Sequence, residues 1–417
     1  MYVAQPVHLP SICDDLTVHP PWVDTAHRQR PVRALDLDGG RPITVSRTIK
    51  LAGLVVMGSL ALTACGSGNN TTATNGGSTP GTTATGGTAA GGAPAGCATG
   101  SLNAQGSTFQ GNAQLQWSKD FAAKCNGAQV AYQGTGSGAG KTAFGNGTAD
   151  FGGTDSLPKP PEQASADKRC GMGNKGVVTP IVAGAVVLTY NLPGVDTLVL
   201  SPANVAKIFE GKITKWDDAA IKADNPSAKL PSIPVVTVHR SDKSGTTKIF
   251  SSWLDANAKS DWTLGADEVL MWPGGQSAKG SDGVTTASSQ ARGGLTYTEL
   301  SFAKQRKLPT ASVKNASGAV VGPTAAGVSA ALATAKVGTK GGLTLKPDYA
   351  TKAAAAYPLS APSYVLTCDK GNKNAALLKA YLAYVLGDGK AVLDGLGYAP
   401  LPDAVATQAT AAVAALA

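Results

Sequence analysis

The order of short strand and helix patterns between residues 101 and 156 constrains the fold more than any other feature of this 417-residue chain. Residues 101–106, 129–133 and 148–153 are typical of strands, and helical patterns follow the first two after polar, glycine-containing turns. Strands that alternate with helices form a parallel sheet covered by helices, with ligand groups at the carboxyl ends of the strands. The predicted fold class is therefore α/β.

The first helical pattern and the glycine-rich stretch after the second strand give more detailed predictions. The helical pattern ends near Cys125, and its apolar anchors are Leu115, Trp117 and Phe121. Residues 134–140 contain four glycines and are predicted to form a turn, with the next helix beginning at Lys141.

This glycine-rich stretch ends in Gly140-Lys141-Thr142, as a nucleotide-binding phosphate loop does. The first glycine that such a loop requires falls on Thr135, however, so nucleotide binding is disfavoured. What remains is a general property: glycines allow backbone N–H groups to converge on an anion, and Ser137 adds a hydroxyl.

Two further segments have the pattern of strands that pass between domains. Residues 177–190 form an apolar run that is long for one strand but fits a strand that leaves one domain and continues in another. Residues 357–368 are extended and contain two prolines, which fits a return crossing.

A candidate anion site lies where a helix pattern begins after a strand pattern. The strand is predicted at residues 235–239, and the helix at residues 247–254 has an apolar side. Between them stand Arg240, Ser244, Gly245 and Thr246, next to the free N–H groups and the positive dipole end of the helix. The alternative is an ordinary helix start, with Ser244 as N-cap and a solvated Arg240.

The N-terminal region has the pattern of a lipoprotein signal. Arg47 and Lys50 precede an apolar run over residues 51–62, and Leu-Thr-Ala precedes Cys65. A bilayer span needs about 20 apolar residues, so this shorter run indicates a secretory signal peptide. Residues 62–65 match the bacterial lipobox, in which the cysteine is lipidated and begins the mature protein. The alternative is a plain signal peptide with an incidental cysteine.

Two segments flank the predicted lipidation site, Cys65. Residues 1–64 are interpreted as leader and signal peptide, with residues 1–45 an artefact of an early start codon and the true start near Val45. Residues 66–96 consist of Gly, Ser, Thr, Ala, Asn and Pro, a composition that cannot form a core. The segment 65–97 is therefore predicted to be a lipidated cysteine with a flexible tether, which spans roughly 30 Å root-mean-square.

Charge and cysteine content narrow the range of functions. The net charge of +9 favours an anionic ligand or anionic surroundings. No run of five or six basic residues occurs and aromatic residues are few, which disfavours nucleic-acid binding. Beyond Cys65 four cysteines remain, an even number that favours disulfides outside the cytoplasm and allows three pairings. No spacing indicates a metal, and no paired nucleophile is visible, so no metal, cofactor or catalytic residue is predicted.

Six motifs resemble, in the same order, those of the phosphate-binding lipoproteins that are the substrate-binding component of the high-affinity phosphate ABC transporter. The resemblance is strongest to the actinobacterial, mycobacterial-type members and covers about residues 100–417. The motifs are residues 106–109, 132–138, 150–155, 211–216, 240–246 and 294–297. The resemblance implies a two-lobed periplasmic-binding-protein-like fold of type II, with parallel-rich sheets flanked by helices and a hinge of two crossing strands.

The same resemblance implies the domain boundaries and the disulfides. Residues 98–183 and 363–417 would form lobe I, and residues 184–362 would form lobe II. In the family fold Cys97 and Cys125 lie at the sheet edge away from the ligand, and Cys170 and Cys368 lie beside the crossing strands. The implied pairs are Cys97–Cys125 and Cys170–Cys368.

The resemblance also assigns phosphate-binding residues by motif position. They are Thr108, Phe109 through its backbone N–H, Ser137 and Asp155 in lobe I, and Arg240, Ser244, Gly245 and Thr246 in lobe II. Asp242 matches the position that orients the arginine. Lys243 stands where a small residue is common, and whether it contacts ligand or solvent is open. Because both lobes supply ligand groups, binding and lobe closure would be one event.

Asp155 is the residue on which anion specificity is expected to depend. Phosphate near neutral pH carries protons and sulfate carries none, so a buried carboxylate can accept a hydrogen bond only from phosphate. The alternative role for Asp155 is a helix N-cap after the third strand. For Arg240 the alternative is a surface salt bridge with Asp242, which is compatible with anion binding.

The predicted function is binding of inorganic phosphate outside the cytoplasm by a monomeric, lipid-anchored receptor that is not an enzyme. Its partners would be the permease and ATPase subunits of a phosphate transporter. The alternatives are a receptor for another oxyanion such as sulfate, a secreted phosphoryl-transfer enzyme, and a surface adhesin or sensor in which phosphate is structural.

Overall fold

The structure is a computed structural model that describes residues 96–417. The predictions for the start codon, the signal peptide and Cys65 fall outside the described residues. Within residues 96–417, none of the helices is long and apolar enough to cross a membrane.

The described residues contain 14 β-strands, 12 α-helices and one 3-10 helix at Asp388–Val392. The strands are β1 (Gly100–Gly106), β2 (Ala128–Gly134), β3 (Phe151–Thr154), β4 (Gly176–Tyr190), β5 (Val199–Leu200), β6 (Val236–Arg240), β7 (Gln276–Ala278), β8 (Gly294–Glu299), β9 (Ser312–Lys314), β10 (Val320–Val321), β11 (Lys336–Gly338), β12 (Thr344–Lys346), β13 (Ser360–Cys368) and β14 (Tyr398–Ala399). The helices are α1 (Gly111–Lys124), α2 (Ser137–Gly145), α3 (Pro160–Cys170), α4 (Pro202–Phe209), α5 (Ala219–Asp224), α6 (Gly245–Asn257), α7 (Gly280–Gln290), α8 (Leu300–Arg306), α9 (Ala325–Leu332), α10 (Ala375–Leu386), α11 (Leu393–Leu396) and α12 (Asp403–Ala415).

The main sheet is mixed, with the strand order β2-β1-β3-β13-β4-β8-β6-β7 and β14 paired with β4. The pairs among β1, β2 and β3, and those among β6, β7 and β8, are parallel. The pairs that involve β4 or β13 are antiparallel. The α/β class is confirmed, and the sheet is parallel on either side of two antiparallel crossing strands. We call the part of the chain around β1–β3 the first lobe and the part around β6–β8 the second lobe.

The long strand β4 connects the two lobes. It pairs with β13 from Gly176 to Ala185 and with β8 from Val186 to Tyr190. Its residues are buried except for the half-buried Val177, as expected for a strand that is covered on both faces. The two-lobed fold with crossing strands is therefore confirmed, while the boundaries at residues 184 and 362 stay a prediction.

Two local predictions for the first lobe were wrong. Leu115 is 73% exposed, whereas Trp117 and Phe121 are buried. Trp117 and Phe121 are four residues apart and share one helix face, and Leu115, two residues from Trp117, lies on the other side.

The predicted glycine-rich turn is largely helical, because α2 begins at Ser137 and includes Gly138 and Gly140. A Cβ at Gly140 would lie 2.5 Å from the carbonyl oxygen of Gly153 and 2.6 Å from the Cα of Gly106. This glycine is therefore required for close packing of α2 on β1 and β3.

An aromatic cluster in the second lobe positions α6. Phe250 stacks on Tyr297 with ring centroids 4.3 Å apart, and Phe209 and Trp262 pack against Phe250 from other sides. The Tyr297 hydroxyl accepts a hydrogen bond from the Arg240 backbone N–H at 3.2 Å. The core of this lobe thus holds both α6 and the end of β6 in place.

Two disulfides are present, Cys97–Cys125 and Cys170–Cys368. They are the pairs that the resemblance implied. The first joins the chain before β1 to the end of α1, and the second joins the ends of α3 and β13.

Candidate anion-binding site

The start of α6 supplies the helix terminus of the candidate site. Ser244 is the N-cap, and its Oγ accepts a hydrogen bond from the Thr247 N–H at 3.1 Å. Gly245 and Thr246 follow in the first turn, where backbone N–H groups have no preceding carbonyl within the helix. This turn therefore presents donors and a positive dipole end to an anion.

Arg240 lies at the end of β6 and is 4% exposed. Its Nε donates to Asp242 Oδ1 at 2.7 Å and its Nη2 to Asp242 Oδ2 at 2.5 Å, a two-pronged contact that fixes the guanidinium plane. Burial alone would raise the pKa of Asp242, but the hydrogen bonds and charge of Arg240 outweigh it and lower that pKa. Asp242 thus occupies the predicted orienting position, and the pair is buried.

The remaining nitrogen of Arg240 points to hydroxyls from both lobes. Nη1 donates to Thr108 Oγ1 at 3.1 Å, to Thr246 Oγ1 at 3.2 Å and to Ser281 Oγ at 3.2 Å. The hydroxyls of Thr108 and Ser281 are also 2.7 Å apart. One guanidinium therefore joins the start of the first lobe's α1 region to the starts of α6 and α7.

Asp155 follows β3 and belongs to the first lobe, opposite Arg240 and the start of α6. Its carboxylate accepts hydrogen bonds from Ser107 Oγ at 2.5 Å, from Ser363 Oγ at 2.5 Å and from Ser137 Oγ at 3.1 Å. The next helix, α3, has Lys159 as its N-cap, so Asp155 does not cap a helix. The alternative structural role for Asp155 is therefore not observed.

Burial changes the protonation of Asp155. Loss of solvent, together with the nearby charge of Glu299, raises the pKa of this carboxyl from 3.8 to about 6, against the lowering effect of the hydrogen bonds from Ser107 and Ser363. Asp155 is therefore a buried acceptor whose pKa lies well above that of an exposed aspartate.

Gly245 brings the second lobe into contact with Asp155. A Cβ added at Gly245 would lie 2.4 Å from Ser137 Oγ and 2.5 Å from Asp155 Oδ2. The backbone N–H of Gly138 also donates to the carbonyl of Lys243 at 3.0 Å, across the two lobes. Any larger residue at position 245 would hold the lobes apart.

The structure brings the predicted site residues into one cluster at the junction of the lobes. Phe109 differs from the others in that its backbone N–H donates to Ser107 Oγ at 2.9 Å, and its ring is buried against Tyr398. Their roles toward phosphate stay predictions.

Four polar residues of the cluster were not predicted: Ser107, Ser281, Ser363 and Glu299. Ser107 lies inside the motif at residues 106–109, so the sequence could have predicted it as a site residue. Ser281 follows Gly280 at the start of α7, which is a weaker signal of the same helix-start type. Ser363 and Glu299 lie within or at the end of buried strands, where sequence alone shows only a polar residue in an apolar run.

Lys243 and Lys141 belong to a separate ionic cluster beside the site. Lys141 is 2% exposed, and its Nζ lies 2.8 Å from Glu268 Oε1 and 3.1 Å from Glu162 Oε2. Lys243 pairs with Glu162 and lies 3.6 Å from Glu268 Oε2. Lys141 is therefore engaged with carboxylates, which is unlike the lysine of a nucleotide phosphate loop.

Two other observations limit the chemistry of the site. His239 stacks on Trp272 with centroids 4.8 Å apart, and burial lowers its pKa, so it has a packing role. In the part of the chain that the structure describes, no group of three or more His, Cys, Asp or Glu side chains could hold a metal ion. The cluster offers one arginine, several hydroxyls, a helix start and a buried carboxylate, which together fit a tetrahedral anion that carries a proton.

Most of this chain is similar in sequence to known proteins. A model of the PBP superfamily domain matches residues 83–389. The chain is 36% identical over 371 residues to phosphate-binding protein PstS 3 of Mycobacterium tuberculosis, which covers 88% of this chain and 97% of that protein. It is 36% identical over 332 residues to phosphate-binding protein PstS of Methanocaldococcus jannaschii, which covers 73% of this chain and 83% of that protein.

The fold is also similar to solved structures. One is a high-affinity periplasmic phosphate-binding protein bound with phosphate, with a TM-score of 0.62, 23% identity, and coverage of 75% of this chain and 93% of that chain. Another is a human phosphate binding apolipoprotein, with a TM-score of 0.61, 23% identity, and coverage of 74% and 93%. At this level of identity the likeness shows the fold.

Proposed function

Because this chain belongs to the PstS family of phosphate-binding proteins, within the PBP superfamily, we propose that it binds inorganic phosphate and delivers it to an ABC-type import permease. The ligand would lie between the lobes, held by Thr108, Phe109, Ser137, Asp155, Arg240, Ser244, Gly245 and Thr246. Asp242 would orient Arg240.

The observation that carries the proposal is the opposition of Arg240 and Asp155 across the junction. Arg240 and the start of α6 provide positive charge and donors for an oxyanion. Asp155 provides a buried acceptor, to which a fully deprotonated anion can offer no hydrogen and which would repel that anion. Phosphate near neutral pH satisfies both groups, and sulfate satisfies only the first.

Calorimetric titration of residues 65–417 with phosphate and with sulfate tests this function, in the wild type and in Asp155→Asn. We expect phosphate to bind in the micromolar range or tighter and sulfate to compete poorly. Asp155→Asn should lower the ratio of phosphate to sulfate affinity by about tenfold or more, since about 1.4 kcal/mol per hydrogen-bonded proton is at stake. Equal competition by sulfate in the wild type would refute the proposal.

The alternative functions have less support. A receptor for sulfate conflicts with the buried acceptor at Asp155. A phosphoryl-transfer enzyme is not favoured by the relatives, which are named phosphate-binding proteins. Binding without catalysis therefore accounts best for the arrangement.

We also infer that the protein acts outside the cytoplasm, anchored by a lipid on Cys65 and tethered by the following residues through position 97. The two disulfides support an oxidising location. Mass spectrometry of the native protein should give a mature N-terminus at a lipidated Cys65. Detection of residues upstream of Cys65 in that material would contradict the anchor, and detection of residues before Val45 would contradict the proposed start.

The proposed partners are the permease and ATPase subunits of a phosphate transporter, with the receptor as a monomer. Phosphate uptake by vesicles that contain the cognate permease and ATPase should depend on added receptor. The mass of the receptor in solution should be that of one chain with and without phosphate.

A further inference from the structure

Glu299 is a buried carboxylate whose place in the core is not explained by ion pairing. It ends β8 and is 1% exposed. Among the residues that the structure describes, no lysine, arginine or histidine forms a salt bridge with it, and Arg240 pairs with Asp242 instead. Although Glu299 precedes α8, its side chain makes no N-cap hydrogen bond. Burial of a carboxylate is costly unless hydrogen bonds or an ion pair offset it, so its retention here suggests a specific role.

Within the described part of the chain, the hydrogen-bond partner of the Glu299 carboxylate is Thr246. Thr246 Oγ1 donates to Glu299 Oε1 at 2.5 Å. The second oxygen, Oε2, is buried and has no hydrogen-bond partner among residues 96–417. Glu299 therefore contacts the site through the Thr246 hydroxyl, in addition to the effect of its charge on Asp155.

A hydroxyl has one hydrogen to donate and two lone pairs that accept. The hydrogen of Thr246 is directed to Glu299, and one lone pair receives Arg240 Nη1 at 3.2 Å. What Thr246 can offer to a ligand is its other lone pair. In this state the side chain of Thr246 accepts from the ligand and cannot donate to it.

We propose that Glu299 is a positioning residue that makes Thr246 a hydrogen-bond acceptor toward the ligand, so that Thr246 and Asp155 each read one protonated phosphate oxygen. The inference rests on the proposed phosphate site. Monobasic phosphate has two P–OH groups and satisfies both acceptors. Sulfate has none, so each acceptor faces an anionic oxygen without a hydrogen bond.

Two substitutions separate this role from simple filling of the core. Glu299→Gln keeps an oxygen that accepts from Thr246, and Glu299→Leu keeps much of the volume but removes the acceptor. Without the acceptor, the Thr246 hydrogen becomes free to donate to any oxyanion. The ratio of phosphate to sulfate affinity, measured by calorimetry, should therefore fall about tenfold in Glu299→Leu and stay within about threefold of the wild type in Glu299→Gln.

A double-mutant cycle with Thr246→Val provides the second measurement. Because Glu299 acts through Thr246, Glu299→Leu should not change the affinity ratio further in a Thr246→Val background. Thermal unfolding of each variant gives the cost to the fold separately. If Glu299→Leu does not fold, Glu299→Ala, which also lacks the acceptor, takes its place in the cycle.

Three results would overturn the role of Glu299 while phosphate binding stands: an unchanged ratio in Glu299→Leu, an equal loss in Glu299→Gln, or additive effects in the cycle. A wild-type protein that does not bind phosphate would instead refute the proposed function. The two failures are therefore distinguishable.

Discussion

Gly245, the first residue of α6, brings the second lobe close to Asp155. The approach leaves no space for a side chain, because a Cβ there would overlap both Ser137 Oγ and Asp155 Oδ2. Neither of these atoms is at the end of a long flexible side chain, so the overlap cannot be relieved cheaply. The first helical residue of α6 is therefore constrained by the opposite lobe.

We expect Gly245→Ala to weaken phosphate binding by about 10- to 100-fold, because overpacking of this kind costs about 1–3 kcal/mol and acts on the closed arrangement. Calorimetry against the wild type measures the loss. Gly111→Ala is the matched control, since no atom lies within 4 Å of a Cβ at that helix position. Wild-type affinity in Gly245→Ala would show that the lobes need not approach this closely.

The pKa of Asp155 makes a prediction about stability without ligand. Folding raises this pKa from 3.8 to about 6, so the folded state favours the protonated carboxyl. Its contribution is fully present below about pH 4 and is lost as the pH rises through about 6. Above that pH the buried charge costs up to about 3 kcal/mol, from a shift of about two units.

Asp155→Asn should therefore gain stability relative to the wild type between pH 4 and pH 7, in protein freed of phosphate. Denaturant unfolding at several pH values measures the difference in unfolding free energy. A difference that shrinks as the pH rises would mean that Asp155 is stabilised as a carboxylate. Phosphate must be absent, because a ligand that binds only the native state adds its own stabilisation.

At the scale of elements, β4 and β13 connect the lobes, and a disulfide fixes one end of the pair. Cys368 is the last residue of β13 and bonds to Cys170 at the end of α3, 198 residues away in sequence. Cys97 and Cys125 are only 28 residues apart. In the chain-entropy model a longer closed loop restricts the unfolded chain more.

Replacement of both cysteines of Cys170–Cys368 by alanine should therefore cost about 2 kcal/mol more unfolding free energy than the same change at Cys97–Cys125. Chemical denaturation of the two double variants, compared with the wild type, measures this. Phosphate affinity should change little, since neither disulfide contacts the candidate site. Equal losses would indicate that local packing, and not loop length, determines the contribution of each bond.

At the scale of the whole molecule, an ionic cluster joins the lobes beside the site. Lys141, Glu162 and Ser156 come from the first lobe, and Glu268 and Lys243 come from the second. Glu268 is buried and lies between the two lysines. The contacts exist only while the lobes are together, so they favour the closed arrangement.

Glu268→Gln should weaken phosphate binding by roughly tenfold and speed its release, because Lys141 loses the charge of a buried partner from the opposite lobe. Lys141 keeps its contact with Glu162, which limits the loss. Stopped-flow release and calorimetry measure the two effects. Asp267→Asn is the control: Asp267 pairs across the lobes with the exposed Lys159, and such surface pairs contribute little. Similar effects of the two substitutions would show that burial of Glu268 is not what matters.

The sequence by itself determined the structural features that depend on residues close together along the chain. Alternation of strand and helix patterns predicted the α/β fold, and the apolar run at residues 177–190 predicted β4. Ser244 was expected at a helix start, because side-chain capping involves residues three apart. The order of the six motifs along the chain indicated the family.

Only the tertiary structure decided which distant groups meet. Ser363 and Glu299 lie far along the chain from Asp155 and Thr246, and no local pattern relates them. The helical start of α2 at Ser137 depends on how closely Gly140 packs on β1 and β3, which local turn propensity does not contain. The exposure of Leu115 depends on which face of α1 the core covers. Long-range packing chooses among locally similar alternatives, and in this protein that choice assembles the site.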